Sequence, residues 1–222
     1  MAFPGVRTGL AILAAGLVAA CAPPAPANEP VRENEAIVAS EDPMSIRPFE
    51  IAVPDEVLTD LQARLSGTRF PDQLEGVGWD YGTDLAYLRE LVDYWQTGFD
   101  WRDQERRLNA FDHFKTTIDG LDIHFIHQRS ANPDALPLLV THGWPGSIFE
   151  FTKIIGPLTD PEAHGGQASD AFHIVAPSLP GYGFSDAPRE PGYGPERMAT
   201  INAQLMARLG YDRYGVQGGD WG

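Results

Sequence analysis

The stretch YGVQGGDWG, residues 214–222, joins a short strand pattern to an acidic residue set between glycines. Gly218 and Gly222 occupy the outer places of a G-x-nucleophile-x-G pattern, in which the chain turns sharply from a strand into a helix. Glycine permits such a turn because it lacks a Cβ atom. The middle side chain is then held at the end of the sheet, and the N–H group behind it can donate to an oxyanion. Asp220 is therefore the candidate nucleophile, and Trp221 carries the candidate N–H group.

A carboxylate at this place, instead of the more common serine, changes the chemistry that the pattern predicts. An ordinary aspartate has a pKa of about 3.9 and is ionised at neutral pH, so Asp220 needs no base to become nucleophilic. It is expected to attack an electrophilic carbon and to form an ester. The alternative is an aspartate at a strand end that caps the following helix. A G-x-D-x-G pattern alone favours that alternative, so the other motifs of the chain have to decide.

A second motif, HGWP, follows the buried-strand pattern LPLLVT and occupies residues 142–145. In α/β-hydrolases the loop after the third strand supplies a second oxyanion donor from its backbone. The N–H groups of Trp144 and Trp221 are therefore expected to face one oxygen atom. The other residues of the motif are expected to organise the loop rather than to carry protons: His142, Gly143 and Pro145.

A third motif, SLPGYGFSD at residues 178–186, follows the next predicted strand. It is expected at the carboxyl end of that strand, which is the side on which such sheets bind ligands. Its aromatic side chains, Tyr182 and Phe184, either line the cleft or only pack beneath it. The sequence leaves both interpretations open.

The order of strand and helix patterns predicts the fold class. HFKTTI, Asp119-Gly120 and LDIHFIHQ predict an antiparallel hairpin with a two-residue turn. Two units of buried strand, loop and helix follow. The first helix begins at Ser147 with Glu150 in capping-box spacing, and the second is predicted for residues 195–209. This order predicts right-handed crossovers and an α/β fold with a mostly parallel, doubly wound sheet.

The segment before the hairpin has helical patterns. In VPDEVLTDLQARL, Pro54 suits a first helical position and the leucines form one apolar face. Thr83 is the predicted N-cap of a second helix. Trp79, Trp95 and Trp101 are interpreted as packing residues of these helices rather than as an aromatic ligand cage.

The first 46 residues are expected to lie outside the folded part. Arg7, the apolar run at residues 9–20 and Cys21 resemble the signal peptide of a bacterial lipoprotein, with Cys21 as the lipidated residue of a 1–21 leader. Ordinary secretion with cleavage after residue 27 is the alternative. Both interpretations place the protein in the bacterial cell envelope, with a lipid anchor as its membrane link in the first. Residues 22–46, rich in Ala, Pro and Glu, are predicted to form a flexible tether.

Composition and charge exclude several classes of protein. The chain has 43% hydrophobic and 21% charged residues, which is typical of a globular protein. A net charge of −15, with only 16 Lys and Arg residues, argues against a nucleic-acid partner. One cysteine cannot form an intramolecular disulfide. His124 and His127 lie three residues apart on a predicted strand and would point to opposite faces. We predict no metal site and no cofactor.

Taken together, the motifs resemble those of the microsomal-type epoxide hydrolases, which are α/β-hydrolases with a helical N-terminal domain. The resemblance covers about residues 47–222 and rests on PFEIAVPDEVLTDLQARL, FDHFKTTIDGLDIHFIH, HGWPGS and GGDWG, in the order of that family. It implies an epoxide hydrolase N-terminal domain over residues 47–111. It also implies a partial α/β-hydrolase domain over residues 112–222, which ends at the nucleophile elbow.

The resemblance further implies a mechanism and a small, apolar epoxide as substrate. Asp220 would attack an epoxide carbon, and two lid tyrosines would protonate the departing oxygen. A histidine held by an acid would then activate water to hydrolyse the ester to a vicinal diol. Trp144 and Trp221 would stabilise the oxyanion of that second step, an effect of about 3–4 kcal/mol per donor. The tyrosines, the acid and the histidine are expected beyond residue 222, so the chain alone is expected to be an inactive N-terminal part of the enzyme.

Two other functions remain open at this point. Haloalkane dehalogenases share the HGxP loop and an aspartate nucleophile, but they lack the helical segment at residues 48–110. A non-catalytic envelope lipoprotein that binds apolar ligands is the alternative from a different class. The sequence makes no prediction of the oligomeric state.

Overall fold

The computed structural model describes Asp42 and residues 44–222. The predicted signal peptide, its Cys21 and most of the predicted tether lie outside the described residues. Residues 41–222 form one compact unit, and the domain boundary predicted near residue 111 stays a prediction. No helix in the described part of the chain is long and apolar enough to cross a bilayer.

The described residues contain one six-stranded sheet with the strand order β1-β2-β3-β5-β4-β6. The first three strands and β5 pair antiparallel, whereas β4 lies parallel to both β5 and β6. The α/β class is confirmed, but the sheet is mixed. The hairpin strand β3 pairs antiparallel with β5, so the antiparallel hairpin and the parallel strands belong to one sheet. The strands are β1 (Arg47–Pro48), β2 (His113–Ile118), β3 (Leu121–Gln128), β4 (Leu136–Thr141), β5 (Phe172–Pro177) and β6 (Gly215–Gly218).

The predicted hairpin between β2 and β3 is confirmed. Its two turn residues, Asp119 and Gly120, have φ angles of 54° and 75°. Both residues therefore occupy the left-handed region, as a type I′ turn requires. Ile118 pairs with Leu121 directly across the turn, which sets the register of the two strands.

Apolar residues cover both faces of the sheet and make three layers. Successive residues of β3 point to opposite faces, so Phe125 and Ile126 are both fully buried, each in a different cluster. Helix α5 (Pro195–Arg208) covers one face through Ile201, Leu205 and Met206. The other face is covered by the N-terminal segment and the turns after β4, through Ile51, Leu108, Ile148, Phe151 and Ile155.

Three helices precede the hairpin: α1 (Asp55–Ser66), α2 (Leu85–Thr97) and α3 (Trp101–Leu108). The N-cap of α2 is Asp84, whose side chain accepts from the Tyr87 N–H at 3.0 Å; the prediction of Thr83 was wrong by one residue. Trp79 packs against Tyr87 of α2, with ring centroids 5.2 Å apart, as predicted, although it is 59% exposed. Trp95 is 45% exposed, and its packing role stays a prediction. Trp101 does pack against the core.

The helix predicted after Ser147 is interrupted. Its capping box with Glu150 is present, but it opens a single 3₁₀ turn, Ile148–Phe151. A separate short helix, α4, spans Ile155–Thr159. Pro157 explains the break, because proline has no N–H group to donate and clashes with the preceding turn of a continuous helix. Ile154, which lies between the two pieces, is 41% exposed.

Glu105 ties the N-terminal segment to α3. Its carboxylate accepts from the Val53 N–H at 2.7 Å, from Arg102 at 2.7 Å and from the Trp101 indole at 3.2 Å. Burial raises the pKa of the Glu105 carboxyl, but these hydrogen bonds outweigh burial and leave the pKa below 4.5. The unfolded chain therefore takes up this proton at a higher pH than the folded chain does. The resulting stabilisation is complete above the unfolded pKa and is lost as the pH falls through the folded pKa.

We expect Glu105→Gln to lower the free energy of unfolding at pH 7 by about 1–3 kcal/mol, because charged hydrogen bonds are lost. The loss of stability between pH 7 and pH 3 should become smaller than in the wild type. Urea unfolding across that pH range measures both effects. Glu50→Gln is the matched control, because Glu50 is exposed and lies in the N-terminal segment to which Glu105 is bonded. An acid dependence unchanged by Glu105→Gln would contradict this account.

Candidate active site

The turn after β6 places Asp220 at the carboxyl end of the parallel strands. Asp220 has a φ angle of 56°, which is uncommon for a residue other than glycine. The Gly222 N–H donates to the Gly219 carbonyl at 2.9 Å and closes the turn. A strained residue held in this way exposes its side chain beyond the strand end, and such strain clusters at functional sites.

The glycines of the turn are required by close backbone approach. A Cβ atom on Gly218 would overlap the backbone of Gly222. A Cβ atom on Gly222 would in turn overlap the carbonyl groups of Thr141 and His142. The turn is thus pressed against the end of β4, from which the HGWP loop starts.

The HGWP loop brings a second backbone donor to Asp220. The N–H groups of Trp144 and Trp221 both donate to the Oδ1 atom of Asp220, each at 2.8 Å. The peptide bond between Trp144 and Pro145 is cis. Gly143 lies beneath the carboxylate, where a Cβ atom would stand 2.5 Å from the Cβ atom of Asp220. The two donors predicted to share one oxygen therefore converge on an oxygen of the carboxylate itself.

These two donors also decide the charge of the carboxyl group. The backbone N–H groups of Trp144 and Trp221 hold the pKa of Asp220 below its ordinary value of 3.8. Asp220 is therefore ionised at neutral pH. Among the described residues, no hydrogen bond to its second oxygen, Oδ2, is present, so none of these residues occupies the lone pairs of this oxygen.

His142 is almost completely buried, and both of its ring nitrogens are bonded to the backbone. Nε2 accepts from the Leu179 N–H at 3.1 Å, and Nδ1 donates to the Gly143 carbonyl at 3.1 Å. An amide N–H can only donate, so Nε2 carries no proton and the imidazole is neutral. This geometry suits an organiser of the loop and leaves no ring nitrogen to exchange a proton with a substrate.

The aromatic residues of the 178–186 loop lie in two different places. Tyr182 packs against the His142 ring with centroids 5.1 Å apart and is half-buried. Phe184 packs between Phe49 and His124, at 5.6 and 5.3 Å, and joins the core. Phe184 is a packing residue, whereas Tyr182 supports the loop residue next to the carboxylate.

Sequence reasoning missed the part that Leu179 plays. The main-chain N–H group of Leu179 donates to His142, and the type of a side chain does not indicate a role of its backbone. The only signal is its place in a loop that follows a buried strand. In the part of the chain that the structure describes, no cluster of His, Cys, Asp or Glu side chains has the grouping of a metal site.

Two family models match the chain over the elements that build this site. The model for the epoxide hydrolase N terminus matches residues 46–151, and the model for the alpha/beta hydrolase fold matches residues 137–222. The chain belongs to the epoxide hydrolase family. The α/β-hydrolase fold is thereby confirmed. The match to the epoxide hydrolase N terminus includes the helical segment at residues 48–110, which haloalkane dehalogenases lack.

Individual relatives in the epoxide hydrolase family cover the same part of the chain. Juvenile hormone epoxide hydrolase 2 of Ctenocephalides felis is 48% identical over 181 residues, which are 80% of this chain and 38% of the relative. Epoxide hydrolase 1 of Sus scrofa is 46% identical over 188 residues, 83% of this chain and 41% of the relative. The chain thus spans about 40% of the length of these curated relatives.

A solved structure of the family superposes on the chain. The crystal structure of juvenile hormone epoxide hydrolase from the silkworm Bombyx mori matches with a TM-score of 0.72 at 43% identity. The match covers 80% of this chain and 47% of the silkworm chain.

Proposed function

We propose that this chain carries the nucleophile of an epoxide hydrolase and that Asp220 is that nucleophile. The observation that carries the proposal is the carboxylate held by one oxygen on two backbone N–H groups, while its other oxygen accepts no hydrogen bond from the described residues. Such a carboxylate is ionised, oriented and ready to attack without a base.

In the first step, the Oδ2 atom of Asp220 attacks one carbon of the epoxide ring. A new bond forms between this oxygen and the carbon, and the bond from that carbon to the ring oxygen breaks. The ring oxygen leaves as an alkoxide and takes up one proton to become a hydroxyl group. The product of this step is an ester between Asp220 and the substrate.

In the second step, water attacks the carbonyl carbon of that ester. The carbonyl oxygen becomes an oxyanion, and it is the Oδ1 atom that Trp144 and Trp221 already hold. Donors placed before the reaction need no reorganisation when the charge develops. Collapse of this intermediate releases a vicinal diol and restores the Asp220 carboxylate.

Two proton transfers in this scheme need other groups. His142 does not supply them, since both of its ring nitrogens are occupied by the backbone. The tyrosines, the acid and the histidine that the family resemblance implies would supply them, and we expect these residues in the rest of the protein.

The substrate is proposed to be a small, apolar epoxide. Trp144 and Trp221, whose N–H groups hold the carboxylate, are 64% and 66% exposed, so two residues in contact with the carboxylate present large apolar side chains to solvent. Exposed apolar surface next to a reactive group is typical of a binding site for an apolar ligand.

Isotope transfer in a single turnover tests the nucleophile. The protein translated from the whole reading frame, in excess over an apolar epoxide, is allowed to react in heavy-oxygen water. We expect the first diol to contain no solvent oxygen and the peptide with Asp220 to become heavier, because the added diol oxygen comes from the carboxylate. Solvent oxygen in the first diol would show direct attack by water and would overturn the proposal. Multiple turnovers, in which label must reach the diol, are the control.

Export to the cell envelope is proposed separately, on the residues outside the described part. Arg7, the apolar run at residues 9–20 and Cys21 support it, with a lipid on Cys21 as the anchor. The intact mass of the exported protein distinguishes a lipidated Cys21 from cleavage after residue 27.

A further inference from the structure

Three buried histidines surround the start of the 178–186 loop. His124 and His142 are 0% and 1% exposed, and His113 is 4% exposed. The Nδ1 atom of His124 lies 2.9 Å from the hydroxyl oxygen of Ser178, and the next residue, Leu179, donates its N–H to His142. His124 and His142 are therefore bonded to adjacent residues of one loop, Ser178 and Leu179.

The hydrogen bonds of His113 and His124 run in one direction. The Nε2 atom of His113 lies 2.8 Å from the Leu108 carbonyl, which can only accept, so this nitrogen carries a proton. The Nδ1 atom of His113 faces the Nε2 atom of His124 at 2.9 Å, and only one of these two nitrogens can carry a proton. With both rings neutral, His124 Nε2 donates to His113, and the Ser178 hydroxyl donates to His124 Nδ1.

Neutral rings agree with the surroundings of the pair. Burial, and to a lesser extent the neighbouring His113 and Lys115, together lower the pKa of His124 to about 3. Burial also lowers the pKa of His113. Phe49 and Phe184 pack on the His124 ring, so the low-dielectric surroundings extend to both sides of it.

The main chain of His124 holds the same loop at two further points. Its carbonyl accepts from the Ser178 N–H at 2.9 Å, and its N–H donates to the Ser185 hydroxyl oxygen at 2.9 Å. The Ser185 hydroxyl then donates to the Ser178 carbonyl at 2.7 Å. Both ends of the loop are thus bonded to one residue of β3.

We propose that Ser178, His124 and His113 are positioning residues, which form a neutral hydrogen-bond chain from α3 to the 178–186 loop and thereby fix the oxyanion donor of Trp144. The link to the donor runs from Ser178 to the Leu179 N–H, to His142, and to the Gly143 carbonyl beside Trp144. The role of these hydrogen bonds in catalysis rests on the proposed function, but the hydrogen bonds themselves do not.

The wild-type chain provides the first test, through the nitrogen-15 shifts of the histidine side chains at pH 7. The expected tautomers are Nε2–H for His113 and His124 and Nδ1–H for His142. A charged His113 or His124, or the other tautomer on either ring, would overturn the proposal. This measurement requires no variant and no turnover.

Ser178→Ala provides the second test. It is measured at Leu179, His142 and Trp144, whose signals should not change if Ser178 acts only on its immediate neighbours. We expect the amide of Leu179 to exchange about fivefold faster, which corresponds to the loss of one hydrogen bond of roughly 1 kcal/mol. We also expect the His142 nitrogen shifts and the Trp144 amide proton shift to change. Ser130→Ala is the control, because within the described part of the chain the Ser130 hydroxyl bonds only to the nearby Asn132 N–H. It should leave these signals unchanged.

Unchanged Leu179 exchange and unchanged His142 and Trp144 signals in a folded Ser178→Ala chain would contradict the proposal. Neither test uses diol formation. Failure of epoxide hydrolysis would therefore leave this inference standing, and failure of this inference would leave the role of Asp220 untouched.

Discussion

Replacing Asp220 with asparagine is expected to reduce the rate of diol formation by roughly 10⁴-fold or more, the loss typical of removing a nucleophile. Asparagine has nearly the same shape, and its carbonyl oxygen can still accept from the N–H groups of Trp144 and Trp221. The elbow should therefore persist while the negative charge that attacks the epoxide is lost. Steady-state diol formation by the protein translated from the whole reading frame measures the effect.

Asp212→Asn is the matched control for this substitution. Asp212 is exposed and lies before β6, so its replacement should leave the rate within about twofold of the wild type, as for most surface changes. Retained activity in Asp220→Asn would remove Asp220 from the mechanism. It would favour an aspartate that caps the following helix, which was the alternative interpretation of the G-x-D-x-G pattern.

Gly143→Ala is expected to reduce the same rate by about a hundredfold, the usual cost of displacing a reacting group by about 1 Å. The added Cβ atom would lie 2.5 Å from the Cβ atom of Asp220 and 2.9 Å from the Gly219 carbonyl. Neither neighbour is the end of a flexible side chain, so the carboxylate and its backbone donors have to separate.

Gly219→Ala is a control of the same chemical size in the same turn. A Cβ atom on Gly219 has no neighbour within 4 Å. We expect its rate to stay close to that of the wild type, and urea unfolding should show both variants to be folded. Equal losses in the two variants would mean that the turn tolerates no side chain at all, and the specific contact between Gly143 and Asp220 would lose its support.

Local patterns predicted the parts of the fold that local geometry determines. The Asp119-Gly120 turn, the paired strands around it and the GGDWG turn each depend on residues a few positions apart. The convergence of Trp144 and Trp221 on one oxygen could also be expected, because both motifs follow strands whose carboxyl ends meet at one edge. Such a prediction needs only that the strands before the two motifs run parallel, which the alternation of strands and helices indicates.

Long-range pairing explains what could not be predicted. His124 meets Ser178 because β3 lies antiparallel to β5, and no pattern near either residue indicates that pairing. The break caused by Pro157 is different, because proline is a local signal and its missing N–H group outweighed the capping box that predicted a continuous helix. The second helix was predicted and is present as α2, yet none of its residues is buried.

The two edges of the sheet differ in what they offer to another strand. β1 has only two residues and its second, Pro48, has no N–H group to donate. β6 forms the opposite edge of the described sheet, with Val216 65% exposed. A further strand can therefore form hydrogen bonds with β6 but has few backbone groups to pair with at β1. Further strands can thus be added at the β6 edge only, and pairing of two molecules through their β1 edges is disfavoured.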